Sequence, residues 1–202
     1  DMQASLLSEI SAEVMLRRTN GELERGLPPK TTAVVACRPT ALQRALHAAL
    51  QEDGVEKAFT RLQLLRAMHL FPPLLGASRD GAGRTGKMLL KRVVGKLPEQ
   101  PAARMLLSGK LQACARLLDA ILEDGSDKVV VVGSSVVALA AVADYARSAL
   151  GSHDAAAALT GALGKKARKA LIDRFNGRHG GSSSLRVLTL VDKLAEGVTL
   201  IG

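Results

Sequence analysis

Short apolar runs alternate with helical patterns through the second half of the chain, and this alternation restricts the fold more than any other feature. Asp127–Val132 contains four consecutive valines, which is typical of a strand covered on both faces. Weaker apolar runs follow at Ala155–Leu159 and Leu185–Leu190, separated by helical patterns at Ser135–Leu150 and Lys165–Phe175. Strands that alternate with helices of this length form parallel sheets with right-handed crossovers. We therefore predict an α/β fold with a doubly wound parallel sheet.

The first half of the chain is mainly helical in pattern. Apolar residues recur at helical spacing over Met2–Leu16, Ala41–Gln51 and Val55–His69. A short basic helix is predicted at Met88–Leu97, and Thr31–Cys37 is predicted to be a strand bounded by prolines. The sequence thus places a helical region before the α/β region.

Glycine and proline mark the breaks between these regions. Gly76–Gly86 reads GASRDGAGRTG and has no large apolar residue, so we predict a mobile loop there. Pro98 and the Gln100-Pro101 pair indicate a domain boundary near residues 98–102. The helix predicted over Ala103–Glu123 is interrupted at Ser108–Lys110.

The charge balance favours a polyanionic partner. Lysine and arginine number 28 against 19 acidic residues, which gives a net charge of +9 and a pI near 10.0. The excess occurs in both halves of the chain, which favours a basic face of a folded domain that binds DNA, RNA or an acidic membrane. A basic surface without a ligand is the alternative. Aromatic residues make up only 2% of the chain, so stacking of bases on aromatic side chains is disfavoured.

Other classes of site find little support. Cys37 and Cys114 have no metal-ligand neighbours at short spacing and are expected to be free thiols, and the four histidines are scattered. The sequence shows no signal peptide and no apolar run near the ~18–20 residues that a membrane span needs. We expect an intracellular protein without a membrane partner.

The stretch Leu16–Gln43 carries the most specific resemblance. It reads LRRTNGELERGLPPKTTAVVACRPTALQ, which orders two arginines, a short polar helix, a Leu-Pro-Pro-Lys turn, an apolar strand and a new helix. This order resembles the segment that joins the two motor lobes of Swi/Snf-type (superfamily 2) DNA translocases, and is most similar to their recombination-repair branch, the Rad54-like proteins. Leu64–Leu75, Ser108–Ser135, Leu159–Gly177 and Gly197–Gly202 resemble later elements of the family in the same order.

Several positions depart from the family's pattern. Gly133, Ser134 and Ser135 stand where the family has a small polar residue, an Asn or His, and an aromatic residue. Thr160 replaces an Asp, and Val191–Ala195 lacks the family's Ser-Ser/Thr and Gly-Gly pairs. The last strand and the residues after it are thus a degenerate form of the family's motif V.

The resemblance implies a division of the chain and a parent activity. Residues 103–202 would be a RecA-like second motor lobe, truncated before the family's final arginine motif. Residues 41–102 would be a helical bridge with a flexible glycine-rich loop, and residues 1–40 an inter-lobe linker. The parent would hydrolyse ATP while tracking along double-stranded DNA, with ATP and Mg²⁺ bound mainly by a first lobe. We expect this fragment alone to be inactive, without catalytic residues, a metal site or a tightly bound cofactor.

DNA contacts are expected where strands end and helices begin, because helix N-termini bind phosphates. Gly161–Lys166 is predicted to span such an N-terminus. The alternatives are a solvated cationic face for Lys165 and Lys166, and a surface ion pair of Arg18 with Glu22. The resemblance implies phosphate contacts at Ser134, Ser135, Thr160, Gly161, Lys165, Lys166, Arg17 and Arg18, with Glu196 and Gly197 near the nucleotide.

Gly81–Met88 matches part of a phosphate-loop motif. It reads GAGRTGKM, in which Gly81, Gly86 and Lys87 occupy the two glycine positions and the lysine position of the motif. A functional phosphate loop follows a strand and has a hydroxyl residue after the lysine, for Mg²⁺. Neither condition is met here, so a flexible basic loop is preferred over an ATP site.

These observations support one leading hypothesis, the second lobe of an ATP-dependent double-stranded DNA translocase in recombination repair or chromatin remodelling. Its partners would be duplex DNA, the first motor lobe of the same protein, and a strand-exchange recombinase or chromatin, in the nucleus. The alternative is a non-catalytic α/β protein-interaction module derived from such a lobe. A free-standing nucleotide-binding protein that uses Gly81–Lys87 is the least favoured.

Overall fold

The computed structural model describes residues 9, 11, 15, 31–55, 57–77, 81–123, 125, 127–177, 184–195, 198 and 200. The chain divides into two units, residues 1–36 and 37–202. In the first unit, residues 31–36 have no regular secondary structure, and Val34 is 96% exposed. The prediction of a strand at Thr31–Cys37 is therefore wrong. A strand needs a hydrogen-bonded neighbour, and the sheet in the described residues is built from three other strands. The helix predicted at Met2–Leu16 lies almost wholly outside the described residues.

The second unit begins with a group of helices, in agreement with the predicted pattern. Helix α1 spans Ala41–Glu52 and helix α2 spans Ala58–Leu70. A 3₁₀ helix follows at Pro72–Gly76, and helix α3 spans Gly81–Val94. Their shared core contains Leu46, Ala49, Leu50, Leu64, Met68, Leu75, Ala82 and Leu89.

Helix α3 corrects the loop predicted over Gly76–Gly86. The helix already begins at Gly81, so both this loop and the later start of the basic helix at Met88 are wrong. Gly86 explains the difference, because a Cβ there would overlap the backbone carbonyl of Leu75. Glycine thus allows the helix to approach the 3₁₀ helix closely, while Ala82 and Leu89 are buried in the core. Such a contact between two segments cannot be predicted from the local sequence of either one.

The remaining elements form the α/β part of the unit. Helices α4 and α5 span Pro101–Met105 and Gly109–Leu122, so the predicted helix is interrupted as expected, but at residues 106–108 rather than at Ser108–Lys110, since Gly109 and Lys110 already belong to α5. The later elements are strand β1 (Val129–Gly133), helix α6 (Val136–Ala149), a 3₁₀ helix (His153–Ala155), strand β2 (Ala156–Leu159), helix α7 (Lys165–Phe175), strand β3 (Val187–Val191) and helix α8 (Asp192–Ala195). Each predicted strand and helix of this half is present.

The strands form a parallel sheet in the order β1-β3-β2, which confirms the predicted α/β fold. One face packs against α5 and α6, and the other places Leu159, Leu188 and Leu190 against Phe175 of α7. The prediction that the valine run is covered on both faces is wrong. Val130 and Val132 are 38% and 52% exposed, because in the described residues α7 covers β2 and β3 but not β1.

Candidate nucleic-acid interface

The carboxyl edge of the sheet brings most of the predicted site residues together. Gly133 at the end of β1 pairs with Val191, and Leu159 at the end of β2 pairs with Leu190. The parallel strands therefore end side by side, with the Ser134-Ser135 pair after β1 and Thr160 after β2. Two strand spacings of ~4.8 Å separate β1 from β2, so these segments start roughly 10 Å apart.

The two serines have different surroundings. The side chain of Ser135 caps α6, where its oxygen accepts a hydrogen bond from the backbone N–H of Ala138 at 3.3 Å. Ser134 is exposed, one position before the cap. The oxygen of Ser135 therefore holds the start of the helix, while its O–H hydrogen, like that of Ser134, remains able to donate to a ligand.

The start of α7 concentrates positive charge. Its N-cap, Gly164, provides no side-chain hydrogen bond, and no acidic residue lies in the first turn. Lys165 and Lys166 are both exposed there, although the helix dipole disfavours cations at an N-terminus. Gly161 faces open space, since a Cβ added at this position would meet no atom within 4 Å. The arrangement favours an anion that approaches the backbone closely.

A second basic feature lies next to Ser134. A cleft of about 470 Å³, here called the basic cleft, is lined by Leu65, Arg66, His69, Leu70, Lys110 and Ser134. Arg66 and His69 share a face of α2, and Lys110 comes from the first turn of α5. None of these three residues is predicted from the sequence. The i,i+3 spacing of Arg66 and His69 on α2 is a local signal, but Lys110 lies far along the chain on α5.

The electrostatic environment of His69 reflects this charge. The pKa of His69 is lowered by burial first, and then by His47 and Lys110. The ring centroids of His47 and His69 are 5.9 Å apart. Basic groups thus lie close enough to disfavour a further positive charge at this position.

Gln43 fixes the geometry of the basic cleft. Its Nε2 donates hydrogen bonds to the carbonyls of Met68 and His69, at 2.8 and 3.0 Å. Its Oε1 accepts from the backbone N–H groups of Thr40 and Gly109, at 2.9 and 3.1 Å. One buried side chain therefore ties the end of α2 to the start of α5, where Lys110 follows directly.

The structure does not place every predicted position. Arg17, Arg18, Glu196 and Gly197 lie outside the described residues. Gly81–Lys87 belongs to α3 and does not form a phosphate loop, as expected, although it is a helix and not a flexible loop. Within the described residues, no group of three His, Cys, Asp or Glu side chains could hold a metal ion. No helix in the same part of the chain is long and apolar enough to cross a membrane.

Comparison with known sequences identifies relatives among DNA repair proteins, although no protein-family model matches the chain. The chain is 31% identical over 171 residues to the DNA repair and recombination protein RDH54 of Saccharomyces cerevisiae (strain RM11-1a), covering 83% of this chain and 18% of the relative. It is 28% identical over 208 aligned positions to the DNA repair and recombination protein RAD54 of Oryza sativa subsp. japonica, covering 84% and 20%. The chain spans about a fifth of the length of these curated relatives.

Solved structures show the same fold. The SWI2/SNF2 ATPase core of Sulfolobus solfataricus in complex with dsDNA matches with a TM-score of 0.57 at 21% identity, over 95% of this chain and 38% of that one. The C-terminal part of the Fun30 ATPase domain matches with a TM-score of 0.50 at 16% identity, over 83% and 70%. Together with the sequence relatives, they show that the chain belongs to the Swi2/Snf2 family, on its Rad54-like branch, and has the fold of the C-terminal RecA-like ATPase lobe.

Proposed function

We propose that this chain is the C-terminal motor lobe of an ATP-dependent translocase on double-stranded DNA that acts in DNA repair by recombination or in chromatin remodelling. Its sequence relatives are named as DNA repair and recombination proteins. The structural relative from Sulfolobus solfataricus is an ATPase core in complex with dsDNA. The observation that carries the proposal is the electropositive start of α7, with Lys165 and Lys166 at the carboxyl edge of the sheet.

The lobe would grip DNA through its phosphates. Ser134, Ser135, Thr160 and Gly161 would contact the backbone beside the two lysines, with Arg17 and Arg18 as further contacts in the inter-lobe linker. Such contacts position the protein on DNA without reading the sequence, and they weaken as salt rises. This matches the activity of a protein that moves along DNA of any sequence.

ATP and Mg²⁺ would be held mainly by a first lobe of the parent protein. Transfer of the γ-phosphoryl group of ATP to water would supply the energy for movement along DNA. Gly81–Lys87 does not fit a phosphate loop, because this segment is helical. Glu196 and Gly197 are proposed to approach the nucleotide when the lobes close. The fragment alone would therefore be inactive. The linker (1–40), helical bridge (41–102) and lobe (103–202) remain the proposed division.

The second candidate is a non-catalytic protein-interaction module derived from such a lobe. The degenerate motif V at Val191–Ala195 favours it, since this segment lacks the Ser-Ser/Thr and Gly-Gly pairs of the family that it resembles. Under either reading we propose a nuclear protein that works with a strand-exchange recombinase or with chromatin. The two candidates differ in whether the chain binds DNA.

Titration of the chain with a fluorescent random-sequence duplex, at about 50 and 200 mM salt and with or without ATP, tests the proposal. We expect the affinity for duplex to weaken by at least tenfold between these salt concentrations, because several phosphates are neutralised in the complex. Addition of ATP should not change the affinity. Absence of binding at the lower salt would reject the DNA-gripping lobe and favour the interaction module.

A further inference from the structure

Three basic side chains of the basic cleft have no acidic counterpart in the part of the chain that the structure describes. Arg66, His69 and Lys110 line it together with Ser134 and two leucines, and no carboxylate is among the lining residues. Other arginines of the same unit form ion pairs, such as Arg92 with Asp53 at 2.7 Å and Arg174 with Asp154 at 3.0 Å. Arg66 and Lys110 carry like charges and lack a counter-charge in the cleft, so an anion would relieve their repulsion.

The walls of the basic cleft are held in fixed positions. Ser108, which is fully buried, donates a hydrogen bond to the carbonyl of Leu70 at 2.7 Å. Gln43, 2% exposed, joins the carbonyl of His69 to the backbone N–H of Gly109. The backbone positions from which Arg66, His69 and Lys110 extend are therefore fixed by the packing of α2 on α5, although the side chains of Arg66 and Lys110 are themselves exposed.

The position of the basic cleft indicates its ligand. Ser134 lines the cleft and also follows β1 at the carboxyl edge of the sheet, where the DNA strand is proposed to run. We propose that the basic cleft binds a backbone phosphate of this DNA strand, so that the helical bridge and the sheet edge hold the strand at two separate places. This inference rests on the proposed function. It adds Arg66, His69 and Lys110 to the residues that contact DNA.

The test compares two double variants that remove the same charge. Arg66→Gln with Lys110→Gln empties the basic cleft of its exposed cations, and Arg84→Gln with Lys91→Gln removes two exposed cations from α3. We expect the cleft variant to bind a random-sequence duplex at least tenfold more weakly than wild type at about 50 mM salt. The slope of log K against log salt should fall by about 1, as for one lost phosphate contact. The α3 variant should lose less than threefold.

Four outcomes separate the possibilities. A tenfold loss confined to the cleft variant supports the proposal, as does movement of the His69 ring signals in the NMR spectrum when duplex is added. Equal losses in both variants overturn it while leaving the proposed function intact. A wild-type chain that fails to bind duplex overturns both. If inorganic phosphate alone moves the His69 signals and the cleft variant binds duplex like the α3 variant, the ligand is free phosphate and the DNA contact is rejected.

Discussion

At the scale of single residues, Gln43 has four hydrogen-bonding groups and all four are engaged. Its two N–H groups reach the carbonyls of Met68 and His69, and its oxygen accepts from Thr40 and Gly109. Gln43→Met fills a similar volume but leaves four backbone groups without partners. Each buried polar group left without a hydrogen-bond partner costs about 1–3 kcal/mol. We therefore expect the free energy of unfolding, measured by urea denaturation, to fall by about 3 kcal/mol or more.

Gln51 provides the matched control for that substitution. It lies on the same helix and is exposed, so Gln51→Met should change the free energy of unfolding by less than about 0.5 kcal/mol. If Gln43→Met proved as mild as Gln51→Met, Gln43 would not be the residue that joins α2 to α5.

His69 makes stability depend on pH in a defined direction. Burial, then His47 and Lys110, lower its pKa from the ordinary value of 6.5. The unfolded chain therefore binds a proton at a higher pH than the folded protein does. The free energy of unfolding should fall as pH drops below about 6.5, until the pH passes the folded pKa. His69→Gln should reduce this fall when urea denaturation is compared between about pH 7.5 and pH 5.5.

The control for His69 is His153, which is exposed. His153→Gln should keep the pH dependence of wild type because it leaves His69, His47 and Lys110 in place. A pH profile of His69→Gln that coincides with wild type would show that another group causes the dependence.

At the scale of elements, the approach of α3 to the 3₁₀ helix depends on one glycine. In an ordinary helix Gly→Ala stabilises by up to about 1 kcal/mol. At Gly86, however, a Cβ would overlap the carbonyl of Leu75, so we expect Gly86→Ala to destabilise by about 1–3 kcal/mol in thermal or urea unfolding. Gly76→Ala is the control, since its Cβ would meet only the Cγ of Lys87 at 3.6 Å. A Gly86→Ala protein as stable as wild type would contradict this packing.

The first turn of α7 is the element proposed to hold DNA. Lys165→Gln with Lys166→Gln should weaken duplex binding by at least tenfold at about 50 mM salt and lower the salt slope by about 2. The comparison is again the Arg84→Gln, Lys91→Gln protein, which carries the same change in charge. Equal weakening of the two proteins would mean that the α7 lysines are an ordinary solvated face.

The elements that sequence predicted well are those with local signals. The helical spacing of apolar residues locates α7 at Lys165–Phe175 and places α1 within one residue of its bounds, Ala41–Glu52. The elements missed depend on distant partners. Helix α3 packs closely against the carbonyl of Leu75, which lies in another segment. Val130 is exposed, and whether a strand residue is covered depends on a neighbouring element and not on the strand's own sequence. Of the site, the edge serines and lysines were predicted, but the basic cleft joins α2 to α5 and has no local pattern.

At the scale of the whole molecule, the described residues contain the surfaces proposed to bind a polyanion, whereas the segment that matches a phosphate loop in sequence does not form one. Gly81 and Lys87 match the motif in sequence, yet they lie on one helix, about 9 Å apart along its axis at 1.5 Å per residue. A phosphate loop instead wraps its backbone N–H groups around the phosphates, and its lysine is followed by a hydroxyl residue. Met88 occupies that last position and is 72% exposed.

We therefore expect the isolated chain to bind MgATP too weakly to detect in equilibrium dialysis at micromolar ATP, and to show no hydrolysis with or without duplex. Lys87→Ala should leave both results, and duplex binding, unchanged, because Lys87 is an exposed residue of α3 and belongs to neither proposed DNA contact. ATP bound by wild type and lost in Lys87→Ala would reverse the assignment and make this chain a nucleotide-binding protein. ATP bound equally by both would place a nucleotide site elsewhere in the chain. Duplex binding without ATP binding would separate the grip on DNA from the chemistry that drives movement along it.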